Sequence, residues 1–277
     1  MSWHALLELS ARDDAGRCTV HSRHEGPLRV LKTLYPEGDA IAHQVIVHPP
    51  GGIVGGDRLE IDVALLPRAH ALLTTPGATR FYRSDGRAAA QSVQAHVGSG
   101  ARLEWLPLET IAHSGCLATN HAEFRLEPGA EMIGWDVLAL GLPASGETFA
   151  AGRFTQHVEL PGVWIERGVI RADDARLLHS PLGLDGHSTV LTSWFASADA
   201  LATARLEGLV EAARDCVQAR GGSDCLAGVT ALRGRVVVLR ALAHRVEPAL
   251  ALAQAVRGAW RQAAWALPDT RPRVWST

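Results

Sequence analysis

Between about residues 16 and 191, apolar and polar residues alternate in short runs separated by turn signals. That period of two restricts this part of the chain to half-buried β-strands. Val93, Ala95 and Val97 alternate with Gln94 and His96, and Ala122, Phe124 and Leu126 with Glu123 and Arg125. Phe154, Gln156, Val158 and Leu160 alternate with Thr155, His157 and Glu159. Turns are expected at Asp85-Gly86, Gly98-Ser99-Gly100, Pro128-Gly129, Pro161-Gly162 and Asp185-Gly186. Pro67-Arg68-Ala69, Ser99-Gly100-Ala101, Pro128-Gly129-Ala130 and Pro161-Gly162-Val163 each open a strand, so Ala69, Ala101, Ala130 and Val163 recur at nearly equal intervals. A period near 30 with two or three strands per unit suggests stacked layers, as in a β-solenoid or a large sandwich, although irregular hairpins can give the same spacing.

The C-terminal half changes period. Leu201, Leu206, Leu209, Val210, Ala213 and Val217 share one helical face, after Ser197 and up to Gly221-Gly222. A second helix begins at Pro248, carries Leu252, Val256, Trp260, Ala263 and Leu267 on its apolar side, and stops at Pro268. Residues 228–242 between them read as a hairpin turning near Gly234. The expected fold is therefore mainly β: a layered or solenoid-like stack of antiparallel strands with two α-helices in the C-terminal half. It forms one domain over residues 1–277, with a β body at about 16–195 and helices at about 198–219 and 248–267 flanking the hairpin. The helical stripes read as core packing, while Trp260 and Trp265 could alternatively anchor a partner.

One turn is specified more heavily than the rest. In His48-Pro49-Pro50-Gly51-Gly52-Ile53-Val54-Gly55-Gly56-Asp57, two prolines fix φ and two Gly-Gly pairs permit φ > 0 or close backbone approach. Gly51 and Gly56 have phosphate-loop spacing, but Asp57 and Arg58 stand where such a loop needs Lys and Ser/Thr. A strand pattern (Leu59, Ile61, Val63, Leu65) follows in place of a helix, so the reading is a tight turn between strands.

Catalytic signatures are absent: no H-E-x-x-H, no C-x-x-C, no G-x-S-x-G and no G-x-G-x-x-G opening a helix. His113 and Cys116 could share a metal, a weak pairing on its own. Polar residues in apolar, turn-rich segments remain as candidates: Asp57, Glu104, Glu109, Glu147 and the run from Thr74 to Ser84. Strand alternation turns Glu104 away from Leu103 and Trp105, which leaves it exposed if that face is open. Arg80 and Arg83 could pair with such carboxylates. A net charge of −2 gives no case for nucleic acid or an anionic membrane. The opening stretch from Met1 to Gly16 lacks a signal-peptide pattern, and the apolar stretch 249–267 is interrupted by Gln254, Arg257, Arg261 and Gln262. Scattered Cys18, Cys116, Cys216 and Cys225 then suggest reduced thiols in the cytoplasm.

The glycine-rich turn, Leu73-Thr74-Thr75-Pro76-Gly77-Ala78-Thr79, Phe81-Tyr82-Arg83-Ser84, Leu103-Glu104-Trp105-Leu106-Pro107, Pro143-Ala144-Ser145-Gly146-Glu147 and Pro272-Arg273-Val274-Trp275 resemble, in order, the UreD (UreH) family of urease accessory proteins. The resemblance runs from about residue 20 to the end. It implies a non-catalytic scaffold that binds apo-urease and UreF, through which the GTPase UreG is recruited and nickel delivered. No tightly bound cofactor is implied, only transient nickel, and an internal water-filled path is the family's suggested route. On this reading Asp57, Glu104, Glu109, Glu147 and His48 are candidates for the nickel path. Gly51, Gly52, Gly55, Gly56 and Arg83 are structural motif residues, and Trp260 and Trp265 are partner contacts. Departures occur at Arg80 (usually lysine), Leu108 (commonly glutamine), Leu142 (commonly arginine) and His113-Ser114-Gly115 (often Phe-Asp-Gly). The reading set against this scaffold is a hydrolase or transferase using the glycine-rich turn and nearby carboxylates.

Overall fold

The computed structural model describes residues 2–220 and 224–276. Seventeen strands and three α-helices follow in chain order among them. The strands are β1 (His4–Asp14), β2 (Arg17–Glu25), β3 (Arg29–Val30), β4 (Ile41–Val47), β5 (Arg58–Leu65), β6 (His70–Thr74), β7 (Thr79–Phe81), β8 (Ala89–Val97), β9 (Arg102–Leu106), β10 (Thr110–Ala112), β11 (Cys116–Leu126) and β12 (Glu131–Leu140). After these come β13 (Gly152–Leu160), β14 (Trp164–Arg171), α1 (Ala175–His179), β15 (Thr189–Ser197), α2 (Thr203–Ala219), β16 (Cys225–Leu232), β17 (Val236–Ala243) and α3 (Val246–Trp265).

The strands form two stacked sheets. The first has the order β14-β13-β11-β8-β5-β1-β2, and the second β16-β17-β15-β12-β9-β6-β4-β3, with β10 and β7 continuing from β12. From β4 to β13 the chain passes from one sheet to the other at each turn, so each coil adds one rung to both. In the second sheet His70 lies beside Arg102, and Arg102 beside Glu131. Each of these residues directly follows Ala69, Ala101 or Ala130, so one sequence repeat corresponds to one rung. The fourth member breaks the pattern: Val163 opens β14, which folds back antiparallel on β13 in the same sheet.

The mainly β, solenoid-like stack with two helices in the C-terminal half is what the structure shows. Strand direction corrects the expectation. The rungs are parallel, β1-β5-β8-β11-β13 in one sheet and β4-β6-β9-β12 in the other. Antiparallel pairs occur at the ends. Alternation has period two in either direction, so only the crossing path between sheets decides it. Strand β1 precedes the expected start of the β body, burying Ala5, Leu7, Leu9 and Ala11. The short helix α1, capped by Asp174 accepting from Leu177 N–H, was not anticipated.

Helices α2 and α3 cover the outer face of the second sheet, making three layers. One apolar core fills the space between the sheets, and a second lies between the second sheet and the helices. The β16–β17 hairpin turns through residues 233–235, with Arg233 (φ +50°) and Gly234 (φ +65°) in the left-handed region. The Gly221-Gly222 stop lies outside the described residues. Trp260 is fully buried and donates to Leu209 O at 2.9 Å; Trp265 is buried and donates to Glu131 Oε2 at 2.7 Å. Neither indole is at the surface, because the apolar stripe of α3 is spent on the sheet. Among the described residues no helix is long and apolar enough to cross a membrane.

Candidate functional site

The glycine-rich turn closes one end of the space between the sheets. Ile53 N–H donates to Arg80 O and Tyr82 N–H to Ile53 O, at 2.7 and 2.9 Å, pinning the turn to β7. Gly51 and Gly56 hold φ of +78° and +94°. Gly52 and Gly55 serve by close approach: an added Cβ would lie 2.1 Å from the Tyr82 ring and 2.7 Å from Asp85 Oδ1, respectively. Asp57 is buried, and its two carboxylate oxygens accept from Trp3 N–H (2.7 Å) and Val54 N–H (3.0 Å). It ties the turn to the start of the chain.

Behind the turn lies a cavity of about 380 Å³ whose walls include His48, Ile53, Arg80, Gln91, Trp105 and Pro107. The Nε2 atom of His48 is buried without a hydrogen-bond partner. Burial pushes the His48 pKa down, against the pull of Asp57, so its ring is neutral with a free nitrogen function.

From Gln91 a row of polar side chains continues inward. Gln91 Nε2 donates to Asn120 Oδ1 at 3.2 Å, and Asn120 Nδ2 donates to Asp136 Oδ2 at 3.2 Å and to Gln156 Oε1 at 3.5 Å. These residues sit on β8, β11, β12 and β13, in phase with inward-facing Val93, Phe124, Leu138 and Val158. Burial pushes the Asp136 carboxyl up to about 6, with a Gln156 hydrogen bond opposing it. Asp136 is the one residue of β12 with intermediate exposure, and its carboxylate faces Asn120 on the first sheet. A second cavity of about 550 Å³ is bordered by Leu140, Glu147, Phe149, His179, His187 and His244.

The structure disperses the residues expected from sequence. His48 lines the first cavity, Asp57 lies in the turn close enough to act on the His48 charge, and exposed Glu147 is at the second cavity. Half-buried Glu109 lies just before β10, its backbone oxygen accepting from Thr79 N–H at 2.9 Å. Glu104 is on the other face of the second sheet and fully buried, which corrects its expected exposure. Alternation did turn it away from Leu103 and Trp105, but α3 covers that face. There Arg257 Nε donates to Glu104 Oε2 at 2.8 Å, Arg261 pairs with Oε1, and His70 Nε2 lies 3.2 Å from Oε1. Arg261 also pairs with Glu37, which contacts His43 at 2.7 Å. Burial alone would raise the Glu104 pKa, but the arginines and the His70 hydrogen bond hold it at about 2. Burial lowers the His70 pKa, so His70 contributes a neutral N–H and the ionic partners are the two arginines.

Among the described residues no three His, Cys, Asp or Glu side chains are grouped to hold a metal. Burial pushes the Cys116 thiol up to about 11, which leaves the His113–Cys116 pair without a thiolate. Arg80 and Arg83 are exposed and form no ion pair among the described residues, contrary to the expected carboxylate pairing. Arg83 packs beside Gly115, where an added Cβ would lie 3.0 Å from its Cγ. Ser114, a departure from the family pattern, accepts from Ala150 and Ala151 N–H at 3.2 and 3.1 Å. Asn120, Asp136, Gln156 and Gln91 went unremarked as site residues, though each is a polar residue in the apolar phase of its strand.

The family model described as UreD urease accessory protein matches residues 4–276. Proteins named Urease accessory protein UreD from Variovorax paradoxus, Leptothrix cholodnii and Albidiferax ferrireducens are 53%, 54% and 52% identical over 277, 282 and 276 residues. In each case the match covers 100% of this chain and 100% of the relative.

Proposed function

Because this chain belongs to the UreD urease accessory protein family and so has a role in urease maturation, we propose that it is a non-catalytic, cytoplasmic scaffold that passes nickel between its two sheets. It acts as one unit that binds apo-urease and UreF, through which UreG is recruited. Nickel is cargo here, held only in transit.

The row Gln91, Asn120, Asp136 and Gln156 carries this reading. Burying polar groups is unfavourable unless they are paired, and these four side chains find partners mainly in one another inside an otherwise apolar sandwich. Amide and carboxylate oxygens are weak partners for a hydrated divalent ion, which suits passage. Tight binding would stall the ion, because each tenfold gain in affinity deepens the trap by about 1.4 kcal/mol. With its pKa at about 6, Asp136 is mostly ionised at neutral pH and is the one carboxylate in the row. His48 offers a neutral imidazole at the first cavity, and Glu147 a carboxylate at the second.

The test is urease activation with Asp136→Asn and Gln156→Leu, alongside size-exclusion chromatography with UreF. Activation and urease nickel content should fall severalfold while the UreF complex forms as in wild type. Normal nickel content in both variants would refute the route.

A further inference from the structure

The two edges of the first sheet are unlike. At β2 the exposed side chains are all polar: Arg17 and the run His21-Ser22-Arg23-His24-Glu25. At β14 they include Ile165 and Val169, 52% and 48% exposed, with exposed Arg167 between them. Trp164 is buried on the inner face, so alternation puts Ile165, Arg167 and Val169 together on the outer one. Bulges and prolines are common ways to blunt a sheet edge. The pairing of β14 with β13 runs without a bulge from Trp164 to Arg171, and the strand contains no proline.

The backbone of β14 is open at the same residues. In an antiparallel pair, alternate residues turn their N–H and C=O groups to the neighbouring strand. Ala172 N–H donates to Gly152 O at 3.1 Å, just past the last pair of β13 with β14, and this sets the phase. Trp164, Glu166, Gly168 and Ile170 therefore bond to β13, while the N–H and C=O groups of Ile165, Arg167 and Val169 point away from it. Among the described residues those groups have no hydrogen-bond partner, and the Arg167 side chain has no ion pair. Free backbone groups and exposed side chains thus coincide on one row, which is the arrangement that accepts an added strand.

We propose that β14 is a docking edge that takes an added strand from a partner protein, with an acidic residue opposite Arg167 and apolar residues opposite Ile165 and Val169. The recognised pattern is apolar–x–acidic–x–apolar, because directly opposite residues lie on the same face and form cross-strand pairs. A second copy of this chain fits worse. The two-fold register that sets Ile165 of one copy against Val169 of the other also sets Arg167 against Arg167, and like charges directly opposite destabilise a pair. The neighbouring registers set Ile165 against Arg167 or Arg171 and lose the apolar contact. The lone positive charge between two apolar side chains therefore disfavours self-pairing and selects an acidic strand. The edge is apart from the space between the sheets, and the proposal does not depend on the nickel route.

The experiment uses the full chain and a fluorescein-labelled peptide, Thr-Val-Thr-Glu-Thr-Val-Thr, with a control peptide carrying lysine in place of glutamate. Binding is read by fluorescence anisotropy and by amide hydrogen exchange. The glutamate peptide should bind wild type at about 1 mM or below and slow exchange at Ile165, Arg167 and Val169. Arg167→Glu should weaken that binding about fivefold and favour the lysine peptide by a similar factor. Val169→Pro removes one edge-facing N–H without touching the bonds to β13, and should abolish binding with an unchanged urea midpoint. Where the proline lowers the midpoint, the reversed preference of Arg167→Glu, a surface change, carries the test. No binding of the glutamate peptide by wild type, or the same peptide preference in wild type and Arg167→Glu, overturns the proposal. So does a wild-type dimer in sedimentation that Val169→Pro makes monomeric, which would assign the edge to a second copy.

Discussion

Replacing Glu104 by glutamine tests whether the ion cluster under α3 holds the helical layer to the sheet. The substitution keeps shape and hydrogen-bonding capacity but leaves two fully buried guanidinium groups without the charge they share. Removing one partner of a buried pair costs about 3–5 kcal/mol. The lowered carboxyl pKa leads to a similar figure: about 2 in the folded chain against 4.5 ordinarily corresponds to about 3 kcal/mol. Because the folded-state pKa is the lower one, this contribution is complete above pH 4.5 and is lost as pH falls through about 2. For a chain of 277 residues, the loss at pH 7 lowers the melting temperature by about 5–9 °C. Scanning calorimetry of wild type and Glu104→Gln between pH 2 and 7 reads both effects. The two proteins should differ most near neutral pH and converge in acid. A drop of less than about 1 kcal/mol at pH 7, or a gap that persists unchanged to pH 2, would refute the reasoning.

Asp57→Ala should destabilise the fold by about 2–4 kcal/mol in urea unfolding, since it removes the buried, ionised acceptor of the Trp3 and Val54 N–H groups; a loss below about 1 kcal/mol would mean the carboxylate does not hold the turn. Gly55→Val should cost about 1–3 kcal/mol and weaken partner assembly, because its Cβ would meet Asp85 Oδ1 at 2.7 Å and Arg87 O at 2.9 Å. Circular dichroism melts and a UreF pull-down indistinguishable from wild type would remove that turn from the account.

Much of this protein is local and therefore legible. Alternation placed Val93, Phe124 and Val158 on inward faces, turn tripeptides set the step from one rung to the next, and the apolar stripes located α2 and α3. The polar row was written there too: Gln91, Asn120, Asp136 and Gln156 each occupy an inward phase, which is visible without coordinates. Other properties had no local signal. Strand direction depends on the chain crossing between sheets at each turn, and a period of two is the same for parallel and antiparallel rungs. Arg257 and Arg261 in the sequence only interrupt an apolar run; in the structure they are fully buried against Glu104, which lies far away along the chain. Trp260 and Trp265 fit a surface or a core equally well until α3 is laid on the second sheet. Periodicity determines which residues share a face, because backbone geometry repeats every two or 3.6 residues. What covers that face is set by contacts between segments far apart in the chain, and that alone decided whether a charge met water, an ion partner or a passage through the core.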